Sequence, residues 1–114
     1  MKENSKNSSK LPASEAIQLK GLIEYSNNSV VSRELLKNTC GTLTLFAFDA
    51  GQGLSEHSAP FDAVVQIFDG EAELKIGDTI ITAQNGDTVL MPADIPHAVT
   101  AKKPFKMLLI MIRG

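Results

Sequence analysis

The chain has no tryptophan, one tyrosine, one cysteine and only two histidines in 114 residues. So few large aromatic rings poorly supply a stacking platform for single-stranded nucleic acid. A single cysteine, Cys40, excludes an intramolecular disulfide and a cysteine-only zinc site, and it suits a reducing interior. There is no excess of positive charge: 11 Lys and Arg stand against 13 Asp and Glu, a formal net charge of −2. A nucleic-acid partner is therefore not expected. No apolar run approaches the roughly 18–20 residues of a transmembrane helix, and MKENSKNSSK is followed by LPASEAIQ instead of an apolar stretch. Neither a membrane partner nor a secretory signal is expected, and the expected location is the cytoplasm. A nucleophile is missing too: Ser55 and Ser58 flank His57, but neighbours in a strand point to opposite faces. The Gly51-Gln52-Gly53 triplet lacks the length and following helix of a phosphate loop.

What is present suits one domain. The chain is 43% hydrophobic and 21% charged, close to an average globular protein, and its length supports a single core. Residues 1–28 divide into a polar tail over 1–10, expected to be disordered, and a short segment in which Ser14 is placed to cap a brief helical turn. From residue 30 to 113 short runs of branched and aromatic residues alternate with Gly, Asp and Asn turn signals. Strands are expected at 30–36, 42–49, 61–69, 71–76, 79–83, 87–92, 97–101 and 105–113, an all-β sandwich or barrel. Asp69-Gly70 and Gly77-Asp78 read as tight hairpin turns and Asn85-Gly86 precedes a further strand, which orders the middle of the chain as an antiparallel meander.

Two strands depart from alternation. FDAVVQIFD and KMLLIMI carry apolar residues on both faces, so something covers the second face, either the other sheet with an N-terminal segment or a second subunit. A homodimer is the expectation.

Both histidines sit at fixed points. Gly51 is followed after five residues by His57 and after twelve more by Gly70; Gly86 is followed after five by Pro92, and His97 is the fifth residue after that proline. Fifteen residues separate Gly70 from Gly86. On these points the sequence resembles small single-domain bacterial members of the cupin superfamily over roughly residues 30–113. The family's first motif reads Gly, five residues, His, one, His, three or four, Glu, six, Gly. Its second reads Gly, five, Pro, one, Gly, two, His, three, Asn. Six positions fall in register, namely Gly51, His57, Gly70, Gly86, Pro92 and His97.

The resemblance implies a jelly-roll β-barrel with a cavity at one mouth, which in family members of full pattern holds a divalent metal on three histidines and a glutamate. Here the second histidine position is Ala59 and the glutamate position is Ala63, while Asp94 and Ala101 replace the usual glycine and asparagine of the second motif. The implied cofactor is one divalent transition metal (zinc, iron, manganese or nickel) held by His57 and His97. Two ligands fall below the three protein ligands of catalytic sites, which favours a pocket without a cofactor. A carboxylate is not expected to make up the loss, because Glu56, Asp62 and Gln66 point outward wherever His57 and Ala63 point inward, unless a bulge intervenes.

The expected pocket joins His57, His97, Ala59, Ala63, Phe61 and Met91, within a wider wall of Leu43, Leu45, Val65, Leu90 and Val99. Arg33 reads as a surface strand residue, Cys40 as a small buried hydrophobe, and Met91, Met107 and Met111 as core fillers. The leading reading is a barrel that binds a small molecule between His57 and His97. Its rivals are a metal-dependent enzyme of dioxygenase or isomerase type using the same two histidines, and a sensing module without turnover.

Overall fold

In a computed structural model, residues 11–113 are described, so the polar tail lies outside the described residues. Eight strands follow a single 3₁₀ turn at Leu19–Leu22. They are β1 (Val30–Asn38), β2 (Gly41–Phe48), β3 (Gly53–His57), β4 (Asp62–Ile76), β5 (Thr79–Gln84), β6 (Thr88–Met91), β7 (His97–Thr100) and β8 (Phe105–Ile112). Every pairing is antiparallel, and one long strand organises the rest. The first half of β4 pairs with β8 and β6, and its second half pairs with β5 and β7. Two sheets result, β1-β2-β8-β4-β6 and β5-β4-β7-β3, which share β4 and close into a jelly-roll barrel.

This corrects two expectations. Asp69-Gly70 is not a hairpin turn but the corner at which β4 passes from one sheet to the other. The register against β8 slips between Ile67 and Asp69, and Gly70 takes φ +77. A Cβ there would overlap the Pro104 carbonyl oxygen, so only glycine fits the close approach. The meander also fails, since β6 returns to β4 instead of extending the sheet from β5. Gly77-Asp78 does form the β4–β5 hairpin, with Ile76 opposite Thr79.

The core lies between the sheets. Phe48 and Phe105 stack with centroids 4.5 Å apart and seal one end beside Gly70. Six residues further along β8, about 20 Å at strand rise, Met111 lies opposite Ala63 near the other end.

The N-terminal segment covers part of the outer face of the first sheet. Ile23, Leu35, Leu45 and Ala47 form a second buried cluster with Leu19, Leu22 and Leu108 against it. Arg33 Nη1 donates to the Leu22 carbonyl at 2.6 Å, the Tyr25 hydroxyl donates to Asp69 Oδ2 at 2.6 Å, and Lys106 Nζ donates to the Lys20 carbonyl at 3.1 Å. Ser14 caps nothing; it has φ +63, and Gln18 precedes the 3₁₀ turn without a side-chain cap. Cys40 is exposed, because Asn38 Oδ1 accepts from the Cys40 and Gly41 amides and holds residues 39–40 as the β1–β2 turn. Among the described residues no helix is long and apolar enough to cross a membrane.

Candidate functional site

His57 ends β3 and His97 begins β7, and the two stand opposite each other in the ladder. Leu54 opposes Val99, so a regular ladder would bring Glu56 opposite residue 97. Instead β3 holds one extra residue between the two pairs, a bulge that changes which side chain faces inward. It puts an imidazole on the inner face and turns Glu56 out, where its carboxylate meets Lys75 Nζ at 3.2 Å.

The two rings meet edge to face, with centroids 4.4 Å apart and planes at 67°. His97 is buried and His57 is exposed at the mouth. In both, Nδ1 lies against the carbonyl oxygen two residues back, Ser55 at 2.9 Å and Ile95 at 3.3 Å. A carbonyl can only accept, so Nδ1 carries the proton and a neutral ring presents Nε2 as a lone pair. Burial lowers the His97 pKa below the ordinary histidine value, against the opposing effect of the Ile95 bond, and the neighbouring His57 lowers it further. His97 is therefore neutral at pH 7.

Behind the rings lies an enclosed cavity of ≈ 110 Å³. Leu54, Val99 and Leu109 line it with the small Ala59 and Ala63. The rest of its wall is methionine: Met91, Met107 and Met111. Met91 on β6 and Met111 on β8 flank Ala63 on β4 in one cross-strand row. Larger depressions elsewhere, of ≈ 910 Å³ beside Leu11–Leu19 and ≈ 290 Å³ beside Cys40, are open troughs that include neither histidine.

Five of the six residues expected in the pocket line this cavity: His57, His97, Ala59, Ala63 and Met91. Phe61 does not, and its ring lies beneath the Arg113 guanidinium at 5.1 Å. Residue 61 precedes β4, outside the ladder that would impose the parity of Ala63. Of the wider wall only Val99 lines the cavity. Val65 belongs to the inner core away from it, and Leu90 is 56% exposed because Met91, its neighbour in the strand, took the inside. Leu43 and Leu45 pack outward with the N-terminal segment because Phe46 and Phe48 occupy the inner face of β2. Arg33 is likewise on the outer side. Leu54, Met107, Leu109 and Met111 were not expected. The period-2 spacing of Met107, Leu109 and Met111 was the available signal, but it did not say which face of β8 turned inward.

Asp94 holds the place of the family's glycine. It takes φ +65, a conformation that aspartate tolerates better than most residues, and its amide donates to the Ala59 carbonyl at 2.7 Å. The backbone bend of the motif is thus kept without glycine.

A divalent ion bound as the resemblance implies needs donors that these residues do not offer. Ala59 and Ala63 carry no donor atom, and Glu56 is engaged outside. Asp62 Oδ1 accepts from the Ala93 amide at 2.9 Å, and Gln66 reaches only Thr88. Among the described residues no three of His, Cys, Asp or Glu are gathered to hold an ion. The site does not fit that metal.

The family model described as Cupin domain matches residues 44–112. The chain belongs to the cupin family. Solved structures of similar sequence share its barrel. A cupin superfamily protein from Desulfitobacterium hafniense is 33% identical with a TM-score of 0.86, over 91% of this chain and 95% of that one. A conserved protein of unknown function from Streptococcus pyogenes is also 33% identical with a TM-score of 0.86, over 91% of each chain. A Cupin 2 conserved barrel domain protein from Leptotrichia buccalis is 34% identical with a TM-score of 0.82, and the match covers 85% of this chain and 47% of that one. No protein of curated function matches the sequence. The cupin match begins within β2 and takes in β3 to β8, so both histidines and all three methionines of the cavity lie inside it.

Proposed function

We propose that this cupin binds a compact, largely apolar small molecule in the cavity behind His57 and His97, with the imidazoles receiving its polar end. The enclosed volume of ≈ 110 Å³ carries this reading. It is well below the roughly 300–1,000 Å³ of pockets for drug-sized ligands and somewhat below the ~150 Å³ that admits a benzene ring. The ligand, or the part of it that enters, is therefore smaller than a benzene ring, the size of a short branched chain. The Nε2 lone pair of neutral His97 selects a hydrogen-bond donor such as a hydroxyl or amine.

Short branched alcohols titrated against the matching hydrocarbons, read by methyl NMR shifts of Leu54, Val99 and Leu109, test this. The donors are expected to bind about tenfold tighter, the worth of one hydrogen bond, and His97→Ala removes the difference. Unmoved cavity methyls would sink the reading.

Two copies are inferred to meet on the outer face of the first sheet. Leu36, Leu43, Ile110, Val64 and Leu90 stand in one row across its five strands, with Leu36 and Leu90 exposed. The Leu11 amide bonds the Leu35 carbonyl beside this row. Residues 1–10 are Ser, Asn, Lys and Glu after Met1 and bring no further large apolar side chain. An uncharged row is self-complementary across a two-fold axis. Light scattering is expected to give a dimer that Leu90→Lys converts to monomer; a monomeric parent protein refutes the pairing.

A further inference from the structure

We propose that the cavity is also a soft-metal site, selective for monovalent copper, built from the two imidazoles and the methionine thioethers. The inference rests on the same accessible cavity as the reading above and deepens it by naming an inorganic occupant. Its first support is an inventory. The chain holds two histidines and four methionines. Both histidines and every methionine except Met1 line this one cavity, five of its ten lining residues. Core-filling alone gives methionines no reason to gather around histidines, since any apolar side chain of similar volume serves that purpose.

The register gives the second support. His57 and His97 face each other on the β3–β7 wall. On the other sheet, Met91 and Met111 stand on either side of Ala63, directly opposite it in the ladder. Such neighbours have Cβ atoms about 4.5–5.5 Å apart, and a methyl group at residue 63 leaves the space above it to the two long thioether chains. Met107 follows on the same face of β8. The replacement that removed a carboxylate thus left a position bracketed by sulfur.

Charge and donor type give the third. All the inward donors are neutral when the rings are, and Glu56 and Asp62 are turned away. The cost of burying an ion without a compensating charge rises with the square of its charge, so a monovalent ion enters where a divalent one is rejected. Thioethers do not belong to the usual donors of zinc, calcium or magnesium. Soft sulfur ligands select Cu(I), and imidazole accepts copper as well. His57, exposed at the mouth, provides the entry.

Anaerobic titration of the full chain with Cu(I) against a chromophoric chelator tests the site. Cys40→Ser is the background, because Cys40 is exposed outside the cavity and a free thiol is itself a soft ligand for copper. One Cu(I) per chain is expected, undisturbed by equimolar Zn(II) or Mn(II). Met91→Leu and Met111→Leu keep the volume of the wall; each is expected to weaken Cu(I) at least tenfold while its urea midpoint stays close to the parent's. No uptake of Cu(I), displacement by equimolar Zn(II), or leucine variants that bind Cu(I) like their parent would each overturn the site. If short alcohols leave the cavity methyls unmoved while Cu(I) binds and depends on the methionines, the small-molecule reading falls and the copper site stands.

Discussion

His57 faces His97 only because β3 carries one residue more than β7 between Leu54 and His57. The bulge decides the chemistry of the cavity, since without it Glu56 would occupy the inner face and a carboxylate would sit among leucine, valine and methionine. With it, the inner face has two edge-to-face imidazoles and the charge goes to an exposed pair with Lys75, worth little to stability.

The burial of His97 makes the metal-free protein acid-sensitive. Its pKa is lowered in the fold, so as pH falls below the unfolded value of about 6.5 the unfolded chain takes up a proton that the folded one refuses. Stability is therefore complete above that pH and declines as pH drops from it toward the folded pKa. Urea midpoints at pH 7.5 and 5 are expected to differ, and His97→Gln is expected to flatten the part of the slope that His97 causes. An imidazole proton of His97 titrating at or above 6.5 contradicts this.

Ala63 is 4% exposed and borders the empty space directly. Ala63→Val adds two methyl-sized groups there, and at ~0.8 kcal/mol for each the variant is expected to be more stable by about 1.5 kcal/mol in urea unfolding. The same volume excludes a ligand, so alcohol-induced shifts at Leu54 and Val99 vanish together with the gain. A destabilised variant would mean that the space is already filled by side-chain motion.

The strands rich in branched and aromatic residues were legible in the sequence, and so was the Gly77-Asp78 hairpin, because alternation and turn chemistry are local. β3 was not: GLSEH offers no β-branched residue, and its pairing depends on β7. Gly70 was misread because a glycine of positive φ suits a turn and a sheet corner equally, and only Pro104 and Phe105, 34 and 35 residues away in the chain, distinguish them. The His57 and His97 positions came from motif spacing. The methionine wall escaped because it forms only once β6 and β8 are known to flank β4.

Tyr25 fixes the N-terminal segment to the barrel through its bond to Asp69. Burial first, and then that bond, push the phenol pKa up, so the hydroxyl remains a donor throughout the accessible pH range. Tyr25→Phe leaves Asp69 with the longer, exposed pair to Lys20 at 3.7 Å. Half exposure reduces the worth of the lost bond to about 1 kcal/mol. Tryptic cleavage after Lys20 is then expected to speed up by roughly fivefold through local opening. An unchanged cleavage rate would assign the anchoring to Arg33 and Lys106 instead.

Gly70 and Gly51 share a positive φ, +77 and +87, but differ in surroundings. A Cβ at Gly51 meets nothing within 4 Å, whereas at Gly70 it overlaps the Pro104 carbonyl and comes within 2.9 Å of Phe105 Cα. Gly51→Ala is therefore expected to cost only backbone strain, about 1 kcal/mol. Gly70→Ala adds displacement of the β7–β8 connection beside the aromatic plug and is expected to cost about 3 kcal/mol or more. Urea denaturation of the two variants side by side measures the difference. Equal losses would mean that the chain at the corner can move aside, and that the passage of β4 between sheets does not depend on the missing side chain.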